Sequence, residues 1–446
     1  MSHSYSELLA DVTCQLVDLL TSEDLDPRRT DGEVEVVLRA IGLQLTQFLL
    51  RRAAQEAVAK WTGDPALNGG GYRWQRSTSI RVMTLYGAVS LLSPYLTLEG
   101  GGPGGGSGVR PVFEELDLKG RSRTVTLERR MVDFGIDVSY DRAASKLREH
   151  YGLDLSGEAV RRVTVEHSTR AYVDDRMVEL DGMFPPRALL QGKGARGPFL
   201  VEMDGSAVRT GELQPAAADT RTPVRGLPKR TRTTEWRDTR LAFIRPLHER
   251  DDREYTGGIE PYEDTLHRLR ARALLKGWRS GVETVCVSDG AKGLMERMTE
   301  VFEGASHILD RPHLVGHLHE VAAARGLQAD EAGDWVAELM EQIGQGDVAR
   351  VIAMLDKVTD QGRERAAQCA RYLERFKDSV SYALFRDKGL PIGSGEIESA
   401  HKSEVQSRFK IPGATWRVDT VNTLLAMRLV RTNGRWDTYW ETTLAA

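Results

Sequence analysis

The chain has 446 residues, 28% of them charged and 40% hydrophobic, and a formal net charge of -4. The length suits two to four domains, and the composition suits a globular protein with an ordinary core. The near-neutral charge excludes a global positive field, so contact with nucleic acid must use local basic patches, while three scattered cysteines exclude a disulfide framework and a Cys-x-x-Cys zinc site.

The opening MSHSYSELLADV lacks the basic-then-apolar layout of a signal peptide, and no stretch approaches a membrane span in length and apolarity. A cytoplasmic protein with access to the chromosome, and without membrane partners, is expected. Residues 1 to about 60 show helical spacing, with Leu8, Leu9, Val12, Leu16, Leu19 and Leu20 on one face and Val36, Val37, Ala40 and Leu43 on another. The β-branched segment from Ile80 to Leu92 reads as pairing strands that stop before Pro94. The glycine run from Gly100 to Gly108 lacks the Gly-Lys-Ser/Thr that a phosphate-binding loop needs, and reads as a flexible connection.

From Ser139 the chain reads SYDRAASKLREHYGLDLSGEAVRRVTVEHSTRAY. Two amphipathic helices are predicted, separated by Gly152-Leu153-Asp154-Leu155, with Ser156 placed to cap the second. The second carries Arg161 and Arg162 among small and apolar residues. This is the layout of a helix-turn-helix, whose second helix enters a major groove, and equally that of an ordinary helical hairpin.

Between residues 198 and 310 strands and helices alternate. Strands are predicted from Pro198 to Val208, Thr239 to Pro246, Glu283 to Ser288 and Ser306 to Leu309, with helices from Ile259 to Gly277 and Lys292 to Phe302. That order argues for an α/β sheet flanked by helices. From Asp310 to about Phe385 the pattern is helical, with Leu339, Ile343, Val348, Ile352 and Leu355 at helical intervals. A basic segment with Arg221, Arg225, Lys229, Arg230, Arg232, Arg237 and Arg240 falls where a hairpin would project beside the first strand. It reads either as a solvated loop or as a clamp on a nucleic-acid backbone, which arginine suits through bidentate phosphate contacts.

Three segments carry chemistry. FLVEMDG and TVCVSDG are apolar runs that each deliver an aspartate, Asp204 and Asp289, just before a glycine and so to the carboxyl end of a strand. GSGEIESAHK is a glycine turn opening into a helix that carries Glu398. Each alone is an ordinary turn former or helix residue. In this order they form a set of hard oxygen ligands for divalent cations. Two Mg2+ or Mn2+ ions, roughly 4 Å apart, would activate water or a 3′ hydroxyl and stabilise the leaving oxygen of a nucleic-acid backbone. Lys402, one turn beyond Glu398, is placed either to touch a phosphate or to stay in solvent. In HILDRPHLVGHLHE, Asp310 and His313 stand at a strand-to-helix junction, followed by His317 and His319. A positioning or rim role is expected for Asp310 and His313, and not zinc, whose further ligands are lacking.

At these residues the chain resembles bacterial insertion-sequence transposases of the DDE type, specifically the ISKra-like group. The matching pieces are VEMDGSAV followed by TEWRDTRLAFI, VSDGAKGL, HILDRPHLVGHL and LPIGSGEIESAHKSEVQSRFKIPGATW. The last is the most specific, with its Gly-Ser-Gly-x-x-Glu core, Lys402, and then Arg408, Gly413 and Trp416. Where the group often carries Cys-x-x-Cys, this chain has PYLTLEGGGPGGG.

The resemblance spans about residues 125 to 435 and implies an α/β fold with a ribonuclease H-like catalytic core, an all-helical insertion and a mainly helical N-terminal region. Asp204, Asp289 and Glu398 would be its catalytic, metal-holding triad. The expected divisions are 1–108 (N-terminal helical region and glycine linker), 109–190 (helix-turn-helix-like), 191–316 (first part of the core), 317–388 (helical insertion) and 389–446 (final helix with Glu398, and tail). Contact with double-stranded DNA, both element ends and target, is expected through Arg161, Arg162, Arg230, Arg232, Arg237 and Lys402, and on the resemblance through Arg408 and Trp416. The expected function is transposition by metal-dependent cleavage and strand transfer, in a homo-oligomer that holds two ends together. The alternatives are a ribonuclease H-like nuclease without strand transfer and a transposase-derived DNA-binding protein without catalysis.

Overall fold

The computed structural model describes residues 30–63, 72–98, 108–116, 122–187, 197–215 and 230–445, with Leu118 and a few positions between 10 and 18. The predicted face from Leu8 to Leu20, most of the glycine run, and Arg221, Arg225 and Lys229 lie outside the described residues. The chain divides into two units, residues 1–164 with 437–446, and residues 165–436. The division falls inside the helix Gly157–Met183. No described helix is long and apolar enough to cross a membrane.

In the first unit the helix Thr30–Gly63 packs on a hairpin of β1 (Tyr72–Thr84) and β2 (Gly87–Leu98). Ala54 of the helix shares a small core with Val82, Val89, Leu91 and Val112. The strands run further than predicted, and Pro94 sits inside β2 opposite Ser77. A two-stranded ladder leaves one edge of each strand unpaired, and there a residue without an N–H is tolerated. The helices Val125–Asp137 and Tyr140–Tyr151 follow. The predicted turn is present: Gly152 ends the second helix in the left-handed region at φ 64, and Ser156 Oγ accepts the Ala159 N–H at 3.2 Å. Arg161 holds Glu158 through two bonds of 2.7 Å, and Arg162 is exposed beside it.

The second unit is built on a sheet. β3 (Phe199–Pro215), β4 (Arg230–Pro246) and β5 (Glu254–Gly258) form an antiparallel meander, while β6 (Thr284–Ser288) and β7 (Ser306–Leu309) run parallel to β3. The five strands are ordered β5-β4-β3-β6-β7. The helices Tyr262–Leu275 and Leu294–Val301 make the crossovers and cover one face, where Phe199, Val201 and Met203 of β3 pack with Leu266, Leu269, Met298 and Phe302. Alternation along the strand therefore sends Glu202 and Asp204 to the opposite face. β5 is absent from the sequence reading because its glycines hide the strand pattern. A Cβ on Gly257 would lie 2.3 Å from the Arg240 carbonyl oxygen, so β4 and β5 approach this closely only with glycine there.

After β7 the chain is helical through Arg311–Arg325, Ala329–Gly344, Val348–Asp356, Arg363–Arg375 and Tyr382–Asp387, as the apolar spacing predicts. A further helix opens at Gly395–Ala400, widens to a π-helix over His401–Gln406, and closes with Ser407–Phe409, with the helices Val418–Thr432 and Trp436–Ala445 after it. Its buried residues Ile397, His401, Val405 and Phe409 recur every fourth position. Four α-helical residues overshoot a full turn by about 40°, so the widened turn keeps this stripe facing inward. Buried Arg428, on the helix Val418–Thr432, donates to the carbonyls of Ser403 at 2.7 Å and Glu404 at 3.0 Å within that turn.

Candidate functional site

β3 pairs with β6 as far as Glu202 opposite Val287, and β6 with β7 as far as Ser288 opposite Leu309. Carrying both registers onward sets Asp204 beside Asp289 and Asp289 beside Asp310. Residues level with one another on neighbouring strands share a face, so three aspartates gather where β6 and β7 end. Asp204 is not at the end of its own strand, as the sequence predicts. It stands mid-strand, where β3 outruns its pairing with β6, because β4 supports β3 as far as Pro215.

Each carboxylate is fixed by its surroundings. Asp289 Oδ1 accepts the Ala291 N–H at 2.9 Å, and the Tyr372 hydroxyl donates to the Asp289 carbonyl at 2.8 Å. Gly290 is left-handed at φ 78, and a Cβ there would lie 2.4 Å from Tyr372 Oη, so this Asp-Gly pair depends on its glycine. Asp204 Oδ1 accepts the Gly205 N–H at 2.7 Å, and its carbonyl accepts His401 Nε2–H at 3.0 Å. Glu398 is half-buried on the same helix as His401 and accepts the Ser394 hydroxyl at 3.4 Å. Asp310, wholly buried, draws in the start of that helix: its Oδ1 accepts the Ser394 N–H at 2.7 Å. Its Oδ2 accepts both the N–H and the ring Nδ1–H of His313, at 2.8 and 2.6 Å.

The charges are mutually dependent. The Asp204 carboxyl is pushed up to about 6 by burial, against the Gly205 N–H, and further by the charges of Asp289 and Glu398. Glu202, two residues back on the same face and fully buried, is pushed up to about 8 by burial, while its Oε2 accepts the Ile397 N–H at 3.0 Å. His313 is pushed up to about 9 by its bond to Asp310, with Asp289 and Asp204 adding to the effect. Burial works against the Asp310 carboxylate, yet the donors His313 and Ser394 hold it below the usual range. Carboxylates crowded together and partly desolvated favour a positive charge among them. The donor set fits a divalent cation: hard oxygens dominate, and one ligand atom each of Asp310, His313 and Glu398 lie within 4.8 Å of one another.

The registers thus set Asp204 and Asp289 level, and the charges of Asp289 and Glu398 reach Asp204, while the group with ligand atoms within 4.8 Å of one another among the described residues is Asp310, His313 and Glu398, without Asp204 or Asp289. The expected DNA contacts are dispersed. Arg237 is exposed on β4 and paired with Glu235, and Lys402 is exposed on the π turn. Arg230 and Arg232 lie on β4 opposite Pro215 and Leu213, with side chains outside the described residues. Arg240 turns inward, its guanidinium 4.2 Å over the Tyr262 ring. Arg408 corrects the sequence reading: it is 1% exposed and stacked 4.7 Å over Trp416, so its guanidinium is not offered to a phosphate. Trp416 is half-buried, donates Nε1–H to the Phe409 carbonyl at 3.0 Å and bridges to Thr210 on β3. Glu202 is readable in hindsight, since FLVEMDG alternates and places it on the face of Asp204. His401 and Tyr372 act through contacts distant in sequence and leave no such signal.

No protein-family model matches this chain, and no curated protein matches it.

Proposed function

We propose that this chain is a DDE-type DNA transposase, with Asp204, Asp289 and Glu398 as the phosphoryl-transfer triad of a ribonuclease H-like core. One observation carries the reading: the parallel registers of β3, β6 and β7 bring Asp204 and Asp289 level, while His401 pins the helix of Glu398 to Asp204. Counted from β3, the sheet order is 3-2-1-4-5, a topology that suits such a core. The helices over residues 317–388 would be the insertion. The motif resemblance points the same way.

The mechanism follows from charge and placement. A phosphodiester is anionic, and so are the three carboxylates, so the side chains alone repel the substrate. Two divalent cations held by Asp204, Asp289 and Glu398 would supply the charge that activates an attacking water or 3′ hydroxyl and stabilises the leaving oxygen. The protein's own contribution is preorganisation. Tyr372 and Ala291 fix Asp289, His401 sets the spacing between Asp204 and Glu398, and Asp310 holds the start of the helix that carries Glu398. Double-stranded DNA is gripped by exposed cations such as Arg161, Arg162, Arg237 and Lys402. A homo-oligomer holds two element ends together and works on the chromosome in the cytoplasm.

The test offers the protein, with Mg2+ or Mn2+, a linear fragment bearing the DNA ends that flank its coding sequence, together with a supercoiled target plasmid. Covalent joining of the fragment's 3′ ends to the plasmid is expected. Cleavage without joining selects a nuclease, and end binding with no chemistry selects a DNA-binding derivative.

A further inference from the structure

His313 is the one member of the site that is not a carboxylate. Its Nδ1–H is committed to Asp310 Oδ2 at 2.6 Å, and the same oxygen accepts its main-chain N–H at 2.8 Å. Asp310 Oδ1 is taken by the Ser394 N–H at 2.7 Å. Three donors therefore occupy a carboxylate that has about four acceptor positions, and the side chain is wholly buried. Such a group is poorly placed to give up an oxygen and well placed to fix the tautomer and plane of the ring. With Nδ1–H committed to Asp310, Nε2 is the ring nitrogen left for a cation, which would displace its proton on binding.

The ring lies within electrostatic reach of Asp289 and Asp204. His313 and Glu398 bring ligand atoms within 4.8 Å of each other. A buried carboxylate bonded to one nitrogen of an imidazole that lies beside further carboxylates is an arrangement by which proteins orient histidine toward a metal. His317, on the same helix, is occupied elsewhere: its Nδ1 meets Glu320 and Arg365 at 3.2 Å each, and its ring packs 4.8 Å from Tyr372.

We infer that His313 Nε2 is a direct ligand to a divalent cation beside Glu398, that Asp310 orients the ring instead of binding the ion, and that the site takes Mn2+ in preference to Mg2+. The inference rests on the reading of this acidic group as a metal site. Mg2+ favours all-oxygen surroundings and sheds water reluctantly, whereas an imidazole nitrogen raises affinity for transition ions. The rim role that the sequence predicts for His313 becomes a coordinating one.

The test is electron spin-echo envelope modulation of Mn2+ added to the full-length protein, with Glu398→Gln as the control for the site. Wild type is expected to show nitrogen modulation that changes on 15N-histidine labelling. The modulation disappears in His313→Gln, survives in His317→Gln, and Mn2+ affinity falls about 10-fold in His313→Gln with a smaller change for Mg2+. Mn2+ binding that depends on Glu398 yet shows no nitrogen modulation in wild type overturns the inference and leaves the metal site standing. Modulation that persists in folded His313→Gln, or in His313→Asn where the glutamine variant does not fold, also overturns it. Mn2+ binding unaltered by Glu398→Gln removes the metal-site reading and the inference together.

Discussion

His401 donates Nε2–H to the main-chain carbonyl of Asp204 at 3.0 Å, so the helix that carries Glu398 is pinned to the strand that carries Asp204. The ring is 1% exposed, and burial holds its pKa below the usual histidine range, which keeps it a neutral donor. Two acidic residues far apart in sequence thus share one mechanical reference.

Losing that pin should separate geometry from stability. His401→Phe keeps the bulk and loses the N–H. It is expected to stay folded while the rate of metal-dependent DNA nicking falls about 10- to 100-fold, the scale of losing a group that orients a reactive site. His401→Gln, which retains an N–H donor, should recover part of the rate. A folded His401→Phe with wild-type rates would show that the bond does not position the site.

His307 gives a pH dependence of stability. Its ring bonds Ser288 Oγ at 2.9 Å and Ser379 Oγ at 3.0 Å, and burial pushes its pKa down to about 4 from 6.5. The unfolded chain therefore takes up this proton first as pH falls. The contribution is fully present above pH 6.5 and is lost as pH drops toward about 4, amounting to on the order of 3 kcal/mol. Urea denaturation of wild type and His307→Gln across this window should show the steeper loss in wild type. Parallel curves would contradict it.

Arg428 supports the π turn. Besides the Ser403 and Glu404 carbonyls it reaches Ser407 Oγ at 3.3 Å and the Glu404 carboxylate at 3.5 Å. Arg428→Met should cost about 3 kcal/mol of stability, because a buried charge and two carbonyls lose their donor. Arg428→Lys should recover little, since one ammonium cannot span the same carbonyls. Chemical denaturation measures both, and a loss for Arg428→Met below about 1 kcal/mol would contradict this role.

Much of the second unit is legible in the sequence, because short apolar runs such as TVCVS have little alternative to a buried strand, and Asp289 follows directly. Asp204 is legible as a residue but not as a position. The polar continuation RTGEL gives no hint that β3 runs on past Val208, and it does so through its ladder with β4. β5 is hidden because Gly257 and Gly258 serve strand packing at the expense of the β pattern. The burial of Arg408 is equally invisible, since an arginine in a motif looks the same whether it meets a phosphate or the ring of Trp416. The π turn leaves only the four-residue spacing from Ile397 to Phe409, which is easily taken for an ordinary amphipathic helix.

The proposed function requires Asp204, Asp289 and Glu398 to form one metal-dependent site that breaks DNA backbones. Nicking of supercoiled plasmid with Mn2+ or Mg2+ tests it most directly, comparing wild type with Asp204→Asn, Asp289→Asn and Glu398→Gln, each confirmed folded by thermal melting. Nicking is expected to require the cation and to fall by about 10³-fold or more in all three variants. Nicking that persists in the three folded variants would contradict it.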